Sequence, residues 1–145
     1  MQREVEVWPP IWFSEPPARA GYVAVTALGS APKIKDAYNN ALVNARVRLA
    51  SIIEVYIESE TRMTRREVNS SSKRSRSEGT FETICKQVTE STVHATQEAK
   101  QAFRYNSKTK AYEYAVLMYM PLTFLEREFR QVQRDEKRET EEPDQ

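Results

Sequence analysis

Residues 33–53 read Lys-Ile-Lys-Asp-Ala-Tyr-Asn-Asn-Ala-Leu-Val-Asn-Ala-Arg-Val-Arg-Leu-Ala-Ser-Ile-Ile, and this stretch decides the fold. Ile34, Ala37, Tyr38, Ala41, Leu42, Ala45, Leu49, Ile52 and Ile53 recur at steps of three and four, which puts them on one helical face. Lys33 and Lys35 oppose the helix dipole at its start, and Asp36 offsets them only in part. That mismatch costs a few tenths of a kcal/mol, whereas each large apolar side chain contributes about 1.5–3 kcal/mol on burial. Packing therefore holds this helix.

Working outward, Gly21 to Gly29 (Gly-Tyr-Val-Ala-Val-Thr-Ala-Leu-Gly) reads as a strand bounded by glycines. Tyr22, Ala24, Thr26 and Leu28 share one side. Val23, Val25 and Ala27 share the other, which is small and apolar as a surface beneath a helix should be. Ser30 suits a helix N-cap, and Pro32 suits the first turn. Past Ile53 the period changes to two. Val55, Ile57, Ser59, Thr61 and Met63 alternate with Tyr56, Glu58, Glu60, Arg62 and Thr64, so 54–64 is expected to be a half-exposed strand. The polar, basic stretch that follows is read as a mobile loop at 65–79.

A second helix is expected from about Phe81, capped by Ser77 or Thr80. Beyond it two readings compete. Phe81, Ile84, Cys85, Val88, Thr92, Ala95, Ala99, Ala102 and Phe103 would sustain one helix to 103. Yet 89–96 is rich in Thr, Ser and Val, and 92–104 also fits strand alternation. The strand reading is favoured, because residues 105–110 (Tyr-Asn-Ser-Lys-Thr-Lys) form a turn candidate before the apolar strand Ala111–Met120, and a hairpin gives that strand a paired neighbour. Pro121 then opens a C-terminal helix with Leu122, Leu125, Phe129 and Val132 on one side, and 136–145 is read as a disordered charged tail.

Residues 1–20 hold Pro9, Pro10, Pro16 and Pro17 with Trp8, Ile11, Trp12 and Phe13. Proline keeps such an arm extended, and its aromatic content points to packing across the domain, with an aromatic docking strip as the functional alternative. The expected architecture is α+β in two layers. A long helix and a second helix pack on a mostly antiparallel or mixed sheet of about four strands, within one domain at 21–135, and a C-terminal helix completes it.

At 145 residues and a formal charge of +1, the chain is the size of one domain and carries no global field toward nucleic acid or membrane. Cys85 is the only cysteine and His94 the only histidine, which excludes an intramolecular disulfide and a thiolate or histidine-rich metal cluster. With three glycines there is no phosphate-binding loop. No apolar run reaches the roughly 18 residues of a membrane span, and no leader is read after Met1. No catalytic, cofactor or metal site is assigned: Cys85 reads as a core cysteine and His94 as a surface histidine. Two candidate contact sites remain. Tyr112, Tyr114, Val116 and Met118 are candidates for a partner interface, with burial in the domain's own sheet the competing reading. Between Arg62 and Arg76 six bases face one acid, so Arg65, Arg66, Arg74 and Arg76 are candidates for contact with nucleic acid or another anionic surface, a less favoured reading than a solvated loop.

The Pro/Trp arm, the Gly21–Gly29 strand and above all Ala37–Ile53 (Ala-Tyr-Asn-Asn-Ala-Leu-Val-Asn-Ala-Arg-Val-Arg-Leu-Ala-Ser-Ile-Ile) resemble the small bacterial envelope lipoproteins of the Lpp-twenty type, with relatives among flagellar accessory proteins P and T. The resemblance covers roughly residues 8–120 and rests most on about 30 residues around the first strand and helix. It implies a compact, non-enzymatic α/β domain in the periplasm or at the outer membrane, acting in assemblies through protein partners or self-association, and a helix-then-strand order over 78–104. No lipid-acceptor cysteine lies near the start of this chain, so membrane attachment would need an upstream anchor, and the acidic C-terminal helix has no counterpart in the pattern.

Overall fold

The computed structural model describes residues 7–68 and 74–141, with side chains described for 7–63 and 81–135. In chain order it comprises α1 (Ile11–Ser14), β1 (Tyr22–Ala31), α2 (Ile34–Val68), α3 (Arg74–Ala95), β2 (Gln97–Asn106), β3 (Ala111–Pro121) and α4 (Leu122–Glu141). The fold is α+β, built on an antiparallel sheet of three strands in the order β1-β3-β2. β3 is central because it is the most apolar strand, with Tyr114, Ala115, Val116, Leu117, Tyr119 and Met120 all buried. The β2–β3 hairpin turns at residues 107–110, where the Asn106 carboxamide oxygen accepts the Lys108 and Thr109 amides and Lys110 takes a positive φ of 55°.

The first half of α2 lies on the face made by Val25, Ala27 and Gly29 of β1 with Tyr114 and Val116 of β3. Ala37, Ala41 and Ala45 are fully buried there, and Gly29 makes the approach close. A Cβ on Gly29 would stand 2.2 Å from the Ala41 amide nitrogen and 2.3 Å from the Ala37 carbonyl oxygen. This closeness brings the neighbouring helical row to the outer edge of β1. The Asn40 and Asn44 carboxamides and the Arg48 guanidinium donate to the carbonyls of Ser30, Leu28 and Thr26 at 3.0, 2.6 and 2.9 Å. Edge carbonyls left unpaired by the sheet are thereby satisfied.

α2 then runs past the sheet. At about 1.5 Å per residue its length is about 50 Å, against about 33 Å for a ten-residue strand. Leu49, Ile53 and Ile57 pack with Ile84 and Val88 of α3 and with Leu125, Phe129 and Val132 of α4. Tyr56 meets Phe129 edge-on at 5.8 Å. α3 packs chiefly on α4 and α2 and less on β3, so the second helix completes a bundle beside the sheet more than a layer over it.

Several expectations are corrected. Residues 54–64 are helix, not strand, which leaves three strands where about four were expected. The cause is arithmetic: positions spaced by four fit a period of two as well as a helical row. Ile53 and Ile57 continue the row of Ala37–Leu49, while Val55, Ser59 and Met63 of the supposed buried strand face are exposed. Glu58 and Arg62 form an i,i+4 ion pair that suits a helix. α3 begins at Arg74 and continues to Ala95, so the Thr/Ser/Val stretch at 89–96 is helical up to its last residue because Val88 and Thr92 are fully buried on the bundle side. Tertiary packing overrides strand propensity there. The strand starts at Gln97, and a bulge between Glu98 and Lys100 shifts its alternation. Of the basic loop expected at 65–79, residues 65–68 and 74–79 are helical and 69–73 lie outside the described residues. Of the expected tail, 136–141 continue α4 and 142–145 lie outside the described residues. Ser30 and Pro121 both stay in strands, opposite Glu113 and Tyr22, instead of starting helices.

The arm is not extended throughout as was expected, because Ile11–Ser14 between the two proline pairs form one helical turn, and it crosses the sheet face opposite α2. The Thr26 hydroxyl donates to the Phe13 carbonyl at 3.1 Å and the Tyr119 hydroxyl to the Pro17 carbonyl at 2.6 Å. The Arg19 guanidinium lies over the rings of Tyr22 and Tyr119, and that of Arg104, paired with Glu113, lies over Trp8. Leu117 and Ala115 on this face are fully buried. Gly21, at a positive φ of 82°, accepts the Leu122 amide at 2.9 Å and so joins the start of β1 to the start of α4.

Candidate interaction surfaces

The tyrosine face of β3 turns inward. Tyr114 and Val116 are buried beneath α2, and Tyr112 and Met118 are half-buried beside them. Antiparallel registry aims this row at α2, and the small Ala37, Ala41 and Ala45 leave room for the rings. Tyr114 packs on Tyr38 at 4.9 Å and stacks on Phe103 at 5.8 Å, and Tyr112 meets Tyr105 at 5.1 Å. The four residues proposed as an interface are brought together, but as part of the domain's own core. The side chains of Arg65, Arg66, Arg74 and Arg76 lie outside the described residues, although all four positions fall on α2 or α3.

A polar network borders the aromatic group. The Tyr38 hydroxyl donates to both oxygens of the Glu98 carboxylate at 2.9 and 3.0 Å, Gln101 also donates to that carboxylate, and Tyr114 donates to the Gln101 carboxamide oxygen at 2.7 Å. Burial first, then the hydrogen bond to Glu98 and its charge, pushes the Tyr38 hydroxyl above the ordinary phenol range. These contacts fasten the bulged start of β2 to α2. They supply acceptors and neutral donors, not an activated nucleophile.

Cys85 is half-buried on α3, and its thiol is pushed up by burial and then by Glu54 and Glu58. A thiol held protonated is a poor nucleophile. His94 lies nine residues along the same helix, half a turn away in direction, and is exposed. The pair does not converge. Among the described residues no three His, Cys, Asp or Glu side chains gather as a metal site would need. No described helix is long and apolar enough to cross a membrane.

One surface was missed by the sequence reading. Val43, Val47, Ser51, Val55, Ser59 and Met63 recur every four residues, two positions on from the buried row Ala41 to Ile57, and so lie opposite the core. Val43, Val47, Val55 and Met63 are 53%, 63%, 66% and 61% exposed, half of the large apolar side chains that stand out from the described surface. Shallow hollows flank this ridge. One lies between Val47, Arg48, Ser51 and Ile52 of α2 and Ala24, Val25 and Thr26 of β1, another among Val55, Glu58, Ser59, Arg62 and Met63 of α2. The signal was legible as a second row spaced by four. It was hidden because the helix was ended at Ile53 and Val55 and Met63 were assigned to a strand.

The class of protein defined by these features is an α+β domain of three antiparallel strands, one long helix shared between sheet and bundle, and an exposed apolar ridge. No match to the chain was found among protein-family models, curated proteins or solved structures.

Proposed function

We propose that this chain is a non-enzymatic structural or assembly protein of a bacterial envelope that acts through protein–protein contacts, at the periplasm, the outer membrane or the flagellar motor. The observation that carries the contact role is the exposed ridge on α2. Valine lowers helix stability by up to about 0.7 kcal/mol relative to alanine, and Val43, Val47 and Val55 are each more than half exposed, so little burial offsets it. Exposed apolar rows of this kind serve as docking surfaces. The compartment rests on the resemblance of Ala37–Ile53 and the Pro/Trp arm to envelope lipoproteins, with any membrane attachment supplied by a segment outside this chain.

The test is site-specific photo-crosslinking in cells, with the photoreactive residue at Val55 and a control at Lys108 in the hairpin turn, followed by fractionation. Adducts at Val55 but not Lys108, recovered with the envelope, are the expected result. Absence of adducts at both Val55 and Val47 removes the contact role, and recovery in the cytosolic fraction removes the compartment.

A further inference from the structure

We infer that the α2 ridge is a self-association surface whose occupant is a second copy of this chain, lying antiparallel across a two-fold axis at Ser51. The inference deepens the contact role proposed above and rests on it. Three observations point to a second copy. First, the middle of the ridge is symmetric about Ser51: Val47 and Val55 stand four residues to either side, so the axis sets Val47 of each copy against Val55 of the other, while Val43 falls opposite Ser59. Second, the flanking charges are arranged for the same axis. Arg46 is exposed on one side of Ser51 and Glu54 and Glu58 on the other, all in one row beside the ridge. In an antiparallel pair like flank meets like flank, which places Arg46 of each copy between Glu54 and Glu58 of the other. In a parallel pair the unlike flanks meet, which sets Arg46 of one copy against Arg48 of the other and Glu58 against Glu60, so the charge pattern selects one orientation. Third, the surface is open on both sides of the crossing point, so side chains of a facing helix have room beside Val47 and Val55. One hollow beside Val47 and Ser51 lies between α2 and Ala24, Val25 and Thr26 of β1, another lies beside Val55, and Ser51 at the crossing point is small enough for close approach.

Sedimentation of the full chain across a concentration series tests this. The expected species is a dimer, which Val47→Glu converts to monomer while leaving the circular dichroism spectrum and melting temperature unchanged, because Val47 is 63% exposed and belongs to neither core cluster. Arg46→Glu weakens dimerisation by at least about tenfold through like-charge repulsion, and adding Glu54→Arg with Glu58→Arg restores it. In a Cys85→Ser background, Ser51→Cys forms a disulfide-linked dimer on oxidation, whereas Lys108→Cys does not. A chain that is monomeric at every concentration, or a dimer indifferent to Val47→Glu, overturns the inference. Its failure is separable from that of the wider reading: a monomer that still gives Val55 adducts to a different protein loses the second copy but keeps the contact role.

Discussion

Over β1 and β3, α2 presents Ala37, Ala41 and Ala45 to Gly29 and Ala27; over α3 and α4, the same row of the same helix presents Leu49, Ile53 and Ile57 to Ile84, Leu125 and Phe129. In the first region backbones nearly touch, and the tyrosines of β3 fill the space at the sides. In the second, long aliphatic and aromatic side chains pack against one another. The alanine layer is therefore limited by what can be added, and the bundle by what can be removed. Burial alone does not distinguish them, since both rows are fully buried.

Four substitutions probe that contrast, from the largest effect to the smallest. Gly29→Val places a side chain within the Ala37–Ala41 backbone, which cannot rotate aside, so it costs more than the about 1–3 kcal/mol usual for overpacking, and urea titration should show little native protein. Ile53→Ala opens a cavity in the bundle and costs about 2–5 kcal/mol by the same titration. If Gly29→Val were the milder of the two, the close-approach account of the layer would fail. Asn44→Ala removes the bond to the Leu28 carbonyl at the rim of the layer and costs about 1 kcal/mol, read as a lower urea midpoint. Thr92→Val reverses sign. Its hydroxyl is fully buried on α3 with no hydrogen-bond partner among the described residues, so replacing it with a methyl group leaves the melting temperature unchanged or raises stability by about 1 kcal/mol. A loss of stability there would reveal a partner for Thr92 within the bundle.

The alanine layer was legible in the sequence and the bundle was not, for a physical reason. Residues 21–53 carry glycine boundaries, alternation with one small face, and a helical row unbroken by competing periods. The hairpin was legible because a polar turn separates two strand candidates. Residues 54–68 are ambiguous in principle, since side chains four apart satisfy both periods, and only the arrival of α3 and α4 decides which of them is covered. The tyrosines at 112 and 114 were visible as a row but not as buried, because which face of a central strand receives the helix depends on registry with β1. The ridge at Val43–Met63 followed the same ambiguity: it becomes a continuous surface only once α2 is known to continue to Val68.

The length of α2 has a further consequence. Because one helix contributes its buried row to both regions without an interruption, neither can be loosened by itself: turning or shifting α2 to relieve the alanine layer displaces Ile53 and Ile57 from the bundle as well. Sheet and bundle therefore open as a single cooperative unit. The slowest amide exchange should be shared by β3, α2 near Leu49 and α4 near Leu125, with one common opening free energy across all three.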